Sequence, residues 1–321
     1  MPCNLAAMRR NRGFRILRAW LVAALAIWAA FTPARAGELR VVASVPPIHF
    51  LLASVMEGAE GHSLELLIPS GASPHNYSLR PSEMRKLAAA DLVFWVGPAL
   101  ETSVARVLAQ DAMRARTVTL GSEPSLNRLR QRRAADGMTP AALDAEGRAG
   151  DPHLWLDPRN AAAIVRLAVA RLSAIDPEHA ALFARNGDAA IARINALDES
   201  LARRLAGIRD RNFVTFHDAY QYFEARYGLS NIGFVVAQPE HPAAGARYLS
   251  DLRRRAAEMD ARCLFIEPEY DPALAGPVTE NSPMKVAILD HMGARLPLSA
   301  ESYFALMETL AAELSTCLDA R

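Results

Sequence analysis

The chain has 321 residues with 36 Lys and Arg against 35 Asp and Glu, a balance of +1 that excludes a nucleic-acid binder driven by phosphate neutralisation. Six arginines and no acidic residue fall in the first 36 positions, so the rest of the chain carries −5. With 51% hydrophobic and 22% charged residues the chain is not disordered, and it is longer than one small core organises, so two compact lobes are expected.

The arginine-rich start runs to Arg18 and is followed by an apolar stretch over 19–31 and a small-residue site, Ala34-Arg35-Ala36, before Gly37. This is the pattern of a cleaved secretory signal over 1–36. The apolar stretch is well short of the ~20 residues that span a bilayer. The early cysteine, Cys3, precedes that stretch, so a lipid anchor is not expected. The mature chain is expected to be soluble, exported to a periplasm and monomeric.

Downstream, short apolar runs alternate with segments of helical period, which predicts α/β lobes with mostly parallel sheets. Strands are expected at 39–44, 64–68, 92–96 and 117–120, with helices at 81–90 and 100–109. The segment 121–150 has no sustained apolar period and carries Arg128, Arg130, Arg132 and Arg133, so it reads as a mobile surface loop with a solvated basic face. Two long helices follow, 158–175 and 177–208. Asp176, Pro177 and Glu178 supply the second with an N-cap, a first-turn proline and an acidic first turn. Its 32 residues would extend about 48 Å, enough to form a rigid connector between lobes. Strands at 213–216, 232–236, 263–266 and 286–289 and helices at 247–259 and 302–318 complete the second lobe. The expected division is thus a signal over 1–36, lobes over 37–175 and 209–321, and a connecting helix over 176–208.

Removing the signal leaves Cys263 and Cys317. In an oxidising periplasm they either pair or stay as two buried thiols; a bond would stabilise the fold by about 4 kcal/mol in the chain-entropy model.

Of eight histidines, three lie where an open α/β sheet places ligands, at the carboxyl ends of strands. His75 sits in the loop after the strand at 64–68, His153 lies where the long loop ends, and His217 follows the strand at 213–216. Asp290 follows the strand at 286–289 in the same way. Three imidazoles and one carboxylate form an N3O set suited to Zn²⁺. The separations of 78, 64 and 73 residues make no local metal motif, so three hydrogen-bonded histidines remain an open alternative on spacing alone. His49, His62, His179 and His241 read as structural or surface residues. Glu267 and Glu269 read as surface carboxylates, with an outer-sphere role at the metal or a contact with a transporter as the other options.

Four segments carry a family resemblance. Ser73-Pro74-His75-Asn76-Tyr77-Ser78-Leu79-Arg80-Pro81-Ser82, Ala90-Asp91-Leu92-Val93-Phe94-Trp95-Val96-Gly97, Asp151-Pro152-His153-Leu154-Trp155-Leu156-Asp157-Pro158 and His217-Asp218-Ala219-Tyr220-Gln221-Tyr222-Phe223-Glu224 together resemble the zinc-uptake (ZnuA-type) substrate-binding proteins of bacterial ABC transporters. The resemblance spans nearly all of 39–318. It implies two α/β lobes joined by a rigid helix, Zn²⁺ held in the cleft as transported cargo by His75, His153 and His217, delivery to an inner-membrane ABC permease, and no catalytic residue. The spacing of Cys263 and Cys317 also resembles that family's C-terminal disulfide. Manganese-binding relatives carry Glu where His217 stands, so histidine there implies zinc. Two departures are visible: the 121–150 loop lacks the histidines many zinc members carry, and Pro74 replaces a Glu that can reach the metal in some members. The fourth ligand is then Asp290 or water, with His291 a further option that reads as solvent-facing. A metal-dependent adhesin on the same scaffold and a zinc hydrolase are the rival functions.

Overall fold

The computed structural model describes residues 38–132, 150–236 and 245–319. The signal segment, most of the arginine-rich loop and His241 lie outside the described residues.

Two four-stranded sheets, every strand parallel to its neighbours, form the frame. The first holds β1 (Arg40–Ala43), β2 (Ser63–Leu66), β3 (Leu92–Trp95) and β4 (Thr117–Thr119) in the order β2-β1-β3-β4. The second holds β5 (Asn212–His217), β6 (Ser230–Val236), β7 (Cys263–Ile266) and β8 (Lys285–Ile288) in the order β6-β5-β7-β8. The two orders are the same, although no internal repeat is legible in the sequence. Each central pair is apolar and fully buried along β3 and β7, as a parallel sheet covered on both faces requires. In each sheet the chain turns in opposite directions from the central pair, so a crevice opens beyond the carboxyl ends of β1 and β3 and of β5 and β7.

Among the described residues the helices of seven residues or more are α1 (Pro46–Met56), α2 (Pro81–Ala89), α3 (Thr102–Leu108), α4 (Pro158–Ile175), α5 (Ala180–Arg204), α6 (Gln221–Tyr227), α7 (Ala246–Glu258) and α8 (Ser302–Asp319). Asp157 caps α4 by accepting from Arg159 N–H. Asp176 accepts from Glu178 and His179 N–H, but the turn it caps is a 3₁₀ turn, Pro177–His179, that leads into α5; a second 3₁₀ turn, Leu205–Ile208, closes it. The expected single connector is therefore one continuous rod with tightened ends. It lies against α4, and Gly187 explains how closely: a Cβ there would meet Val169 Cγ2 at 2.4 Å. α8 packs on α5 and α1, and Cys263 of β7 is bonded to Cys317 of α8, with Cα atoms 6.4 Å apart.

One apolar core runs from the first sheet through α1, α4, α5 and α8 to Phe213 and Phe265 of the second sheet, while a smaller cluster around Val214, Leu252 and Ile266 fills its far side. The two halves thus share buried surface around the connector. Among the described residues no helix is long and apolar enough to cross a membrane.

Candidate metal site

His75, His153 and His217 come together. Each is buried, and one ligating atom from each lies within 4.8 Å of the others. His75 sits in the loop after β2, where Gly71 takes a positive φ of 82° that an L side chain rarely adopts and so lets the chain turn back. His153 precedes a 3₁₀ turn, Leu154–Leu156, that delivers the chain into α4. His217 is the last residue of β5. Their ring centroids are 5.6, 5.2 and 5.0 Å apart. Zn–N bonds of about 2.0–2.1 Å in a tetrahedral arrangement place imidazole centroids ~5.2 Å apart, so the spacing already suits one small ion.

Two buried carboxylates stand behind the imidazoles. Asp151 Oδ1 accepts from His153 N–H and from Nδ1, both at 2.9 Å, which fixes the tautomer in which Nε2 carries the lone pair. Burial raises the Asp151 pKa to about 7, against the opposing pull of the His153 amide. Glu267 is fully buried, and its Oε1 lies 3.7 Å from His217 Nδ1. This corrects the reading of Glu267 as a surface group. The register explains its place: Thr215 pairs with Phe265 across β5 and β7, so the next residues on, His217 and Glu267, reach the strand ends side by side. The neighbouring Tyr220 hydroxyl donates to Leu289 O. Burial, reinforced by Glu269, holds the Glu267 pKa well above the ordinary carboxyl range. Burial first, then the adjacent imidazoles, pushes that of His217 well below the usual histidine value.

Asp290 does not join the three-histidine group. Its Oδ1 accepts from Met292 and Gly293 N–H at 2.9 and 2.8 Å, and its Oδ2 accepts from Ala294 N–H at 2.7 Å, so the carboxylate caps the turn after β8. A short acidic residue after a strand suits a cap as well as a ligand, and here the backbone amides hold it. His291 corrects the sequence reading in the opposite sense: it is 1% exposed and stands beside His153 and His217.

Elsewhere, His62 Nε2 and His179 Nδ1 both lie 2.6 Å from Asp176 Oδ2, a cluster not anticipated because its members are 114 and 3 residues apart. Leu39 N–H points at His62 Nδ1 at 3.3 Å, which puts the ring proton on Nε2 toward the carboxylate and makes this a hydrogen-bonded triad. His49 lies buried within α1. Arg132 is not part of a solvated face: its guanidinium reaches both Asp218 and Glu224 in the second half. Tyr222 completes this bridge, accepting from Leu129 N–H and donating to Asp151 O.

The family profile described as "Zinc-uptake complex component A periplasmic" matches residues 41–317. The chain belongs to the zinc-uptake complex component A family. A relative from Paracoccus denitrificans, named as a high-affinity zinc uptake system protein, is 34% identical over 325 residues, covering 94% of this chain and 98% of its own. One of the same name from Brucella abortus is 31% identical over 313 residues, covering 88% and 93%. Among solved structures, one titled as the crystal structure of ZnuA superposes with a TM-score of 0.72 at 21% identity, covering 88% of this chain and 99% of that one. The laminin-binding adhesin of Streptococcus agalactiae superposes at 0.70 and 23% identity, covering 86% and 99%. Both share the fold of the zinc-uptake component A family, two parallel-sheet α/β halves on a long helix, as expected from the sequence.

Proposed function

We propose that this chain captures Zn²⁺ between its two sheets as cargo and hands it to an inner-membrane ABC permease. The observation that carries the reading is the convergence of His75, His153 and His217, drawn from three distant segments, at the centroid spacing of a tetrahedral imidazole site. The names of its relatives point the same way. Nitrogen donors prefer zinc to manganese, which favours oxygen. Asp151 orients the His153 ring by a hydrogen bond, and Glu267 stands 3.7 Å behind His217; together they balance the ion's charge without adding oxygen to its shell.

The chain acts as a carrier and not an enzyme, as a monomer, in the periplasm, after removal of 1–36. Its working parts are the lobes 37–175 and 209–321 on the 176–208 connector. The core shared around the connector and the bridges from Arg132 and Tyr222 favour uptake by local movement of ligand-bearing loops over wide separation of the lobes.

Competition titration tests the site. The purified protein binds one Zn²⁺ tightly, and His75→Ala, His153→Ala and His217→Ala each weaken it by well over tenfold. Unchanged affinity in any two of the three overturns the reading, as does manganese as the metal recovered from the protein in its own periplasm.

A further inference from the structure

We propose that His291 is the fourth imidazole of the cargo site, so that this chain holds its ion by four ring nitrogens and not by three and a carboxylate or water. The inference rests on the three-histidine reading above and deepens it. The ring of His291 lies 5.2 Å from that of His153 and 5.7 Å from that of His217, against 5.0–5.6 Å among the other three rings; its nitrogens stand outside the 4.8 Å group of the three, so ligation takes a small closing movement of its ring. It is held there from several sides. Trp155 stacks on it at 6.2 Å and 16°, Tyr220 meets it edge-on at 5.8 Å, and Trp155 Nε1–H donates to its backbone carbonyl at 2.9 Å. The Asp290 cap fixes the turn that carries it.

The chemistry of the pocket asks for a metal. His291 is 1% exposed, and neither ring nitrogen has a hydrogen-bond partner among the described residues. A buried imidazole with both nitrogens unsatisfied is unfavourable, and the flanking Trp155 and Tyr220 would be packed as well by an apolar ring. A divalent ion on one nitrogen removes that cost. Asp290 spends its carboxylate on three backbone amides, which favours its neighbour His291 for the fourth position. A shell of four neutral nitrogens moves the site further toward zinc and away from manganese, and Asp151 and Glu267 supply the compensating charge from behind.

X-ray absorption of the zinc-loaded protein, read beside competition titration of His291→Phe and His153→Ala, decides the matter. Phenylalanine keeps the stack on Trp155 and removes the nitrogens. Expected are four imidazole scatterers in the parent and three plus one oxygen in His291→Phe, with zinc affinity at least tenfold lower and metal-free thermal stability equal to or above the parent. Three imidazoles in the parent, or His291→Phe within twofold of parental affinity while His153→Ala loses zinc, overturns the fourth ligand and leaves the three-histidine site standing. Parental affinity in both variants overturns the site itself.

Discussion

His217 and Glu267 close the carboxyl ends of adjacent parallel strands, with Nδ1 of the imidazole 3.7 Å from Oε1 of a carboxylate that is fully buried. The pair sits at the point where the second sheet reverses its winding, the place an open α/β sheet offers to a ligand. A carboxylate in this position places negative charge behind the imidazole, 3.7 Å from Nδ1 and beyond hydrogen-bond reach. Replacing it by an amide of the same shape removes the charge but not the packing. Glu267→Gln is expected to weaken zinc by about tenfold while leaving the metal-free protein as stable as the parent or more so, because a buried titratable group is gone. Competition titration and a melting curve read both effects; parental zinc affinity would assign Glu267 to packing alone.

Much of this site was legible before the fold was known, and the parts that were not share a cause. All eight strands stand out as short runs of Val, Ile, Leu and Phe, and His75, His153 and His217 stand out at strand ends or in recognisable motifs. α1 shows no helical period because Pro46–Met56 is buried almost all round and has no polar face, and α6 shows none because seven residues are too few. Glu267 depends on the register between β5 and β7, which no local pattern encodes. His291 lies in a turn between a capping aspartate and Met292, a setting that reads as exposed until Trp155 is seen to cover it. Arg132 reads as one more charge in a basic run, although its partners lie 86 and 92 residues downstream.

Asp290 gives a prediction that separates a cap from a ligand. Asn keeps one oxygen for Met292 and Gly293 but turns an NH₂ toward the amide of Ala294, so Asp290→Asn is expected to cost about 1–2 kcal/mol of metal-free stability. The zinc shell itself should stay intact. X-ray absorption of the loaded variant checks this: loss of an oxygen scatterer present in the parent would make Asp290 a ligand after all.

The bond between Cys263 and Cys317 closes a loop of 54 residues from the start of β7 to the end of α8. Cross-linking a loop of this length is worth about 4 kcal/mol in the chain-entropy model. The double variant Cys263→Ser with Cys317→Ser is expected to lose stability of that order by denaturant unfolding. Zinc affinity should hold within twofold, since the bond lies at the opposite end of β7 from Glu267. A tenfold loss of zinc would mean that the bond positions the site as well as the fold.

Glu101 occupies in the first sheet the place that His217 and Glu267 occupy in the second. It is fully buried, accepting from Ser44 Oγ beyond β1 and from Val96 and Gly97 N–H beyond β3, and so ties the two central strand ends together. Burial outweighs these hydrogen bonds and raises its pKa to about 7, against about 4.3 for an exposed glutamate. Between those values the folded chain holds a proton that the unfolded chain has released. By linkage, its contribution to stability is therefore fully present below about pH 4 and is lost as the pH rises through about 7. The Glu101 contribution alone lowers the melting temperature of the metal-free protein progressively from pH 5 to pH 8. Glu101→Gln cannot ionise, so its melting temperature should decline less steeply over the same interval, even though the amide gives up one acceptor for the strand ends. Parallel pH profiles for parent and variant would show that Glu101 keeps its charge when buried and that its three donors, not its proton, tie the strand ends of the first sheet together.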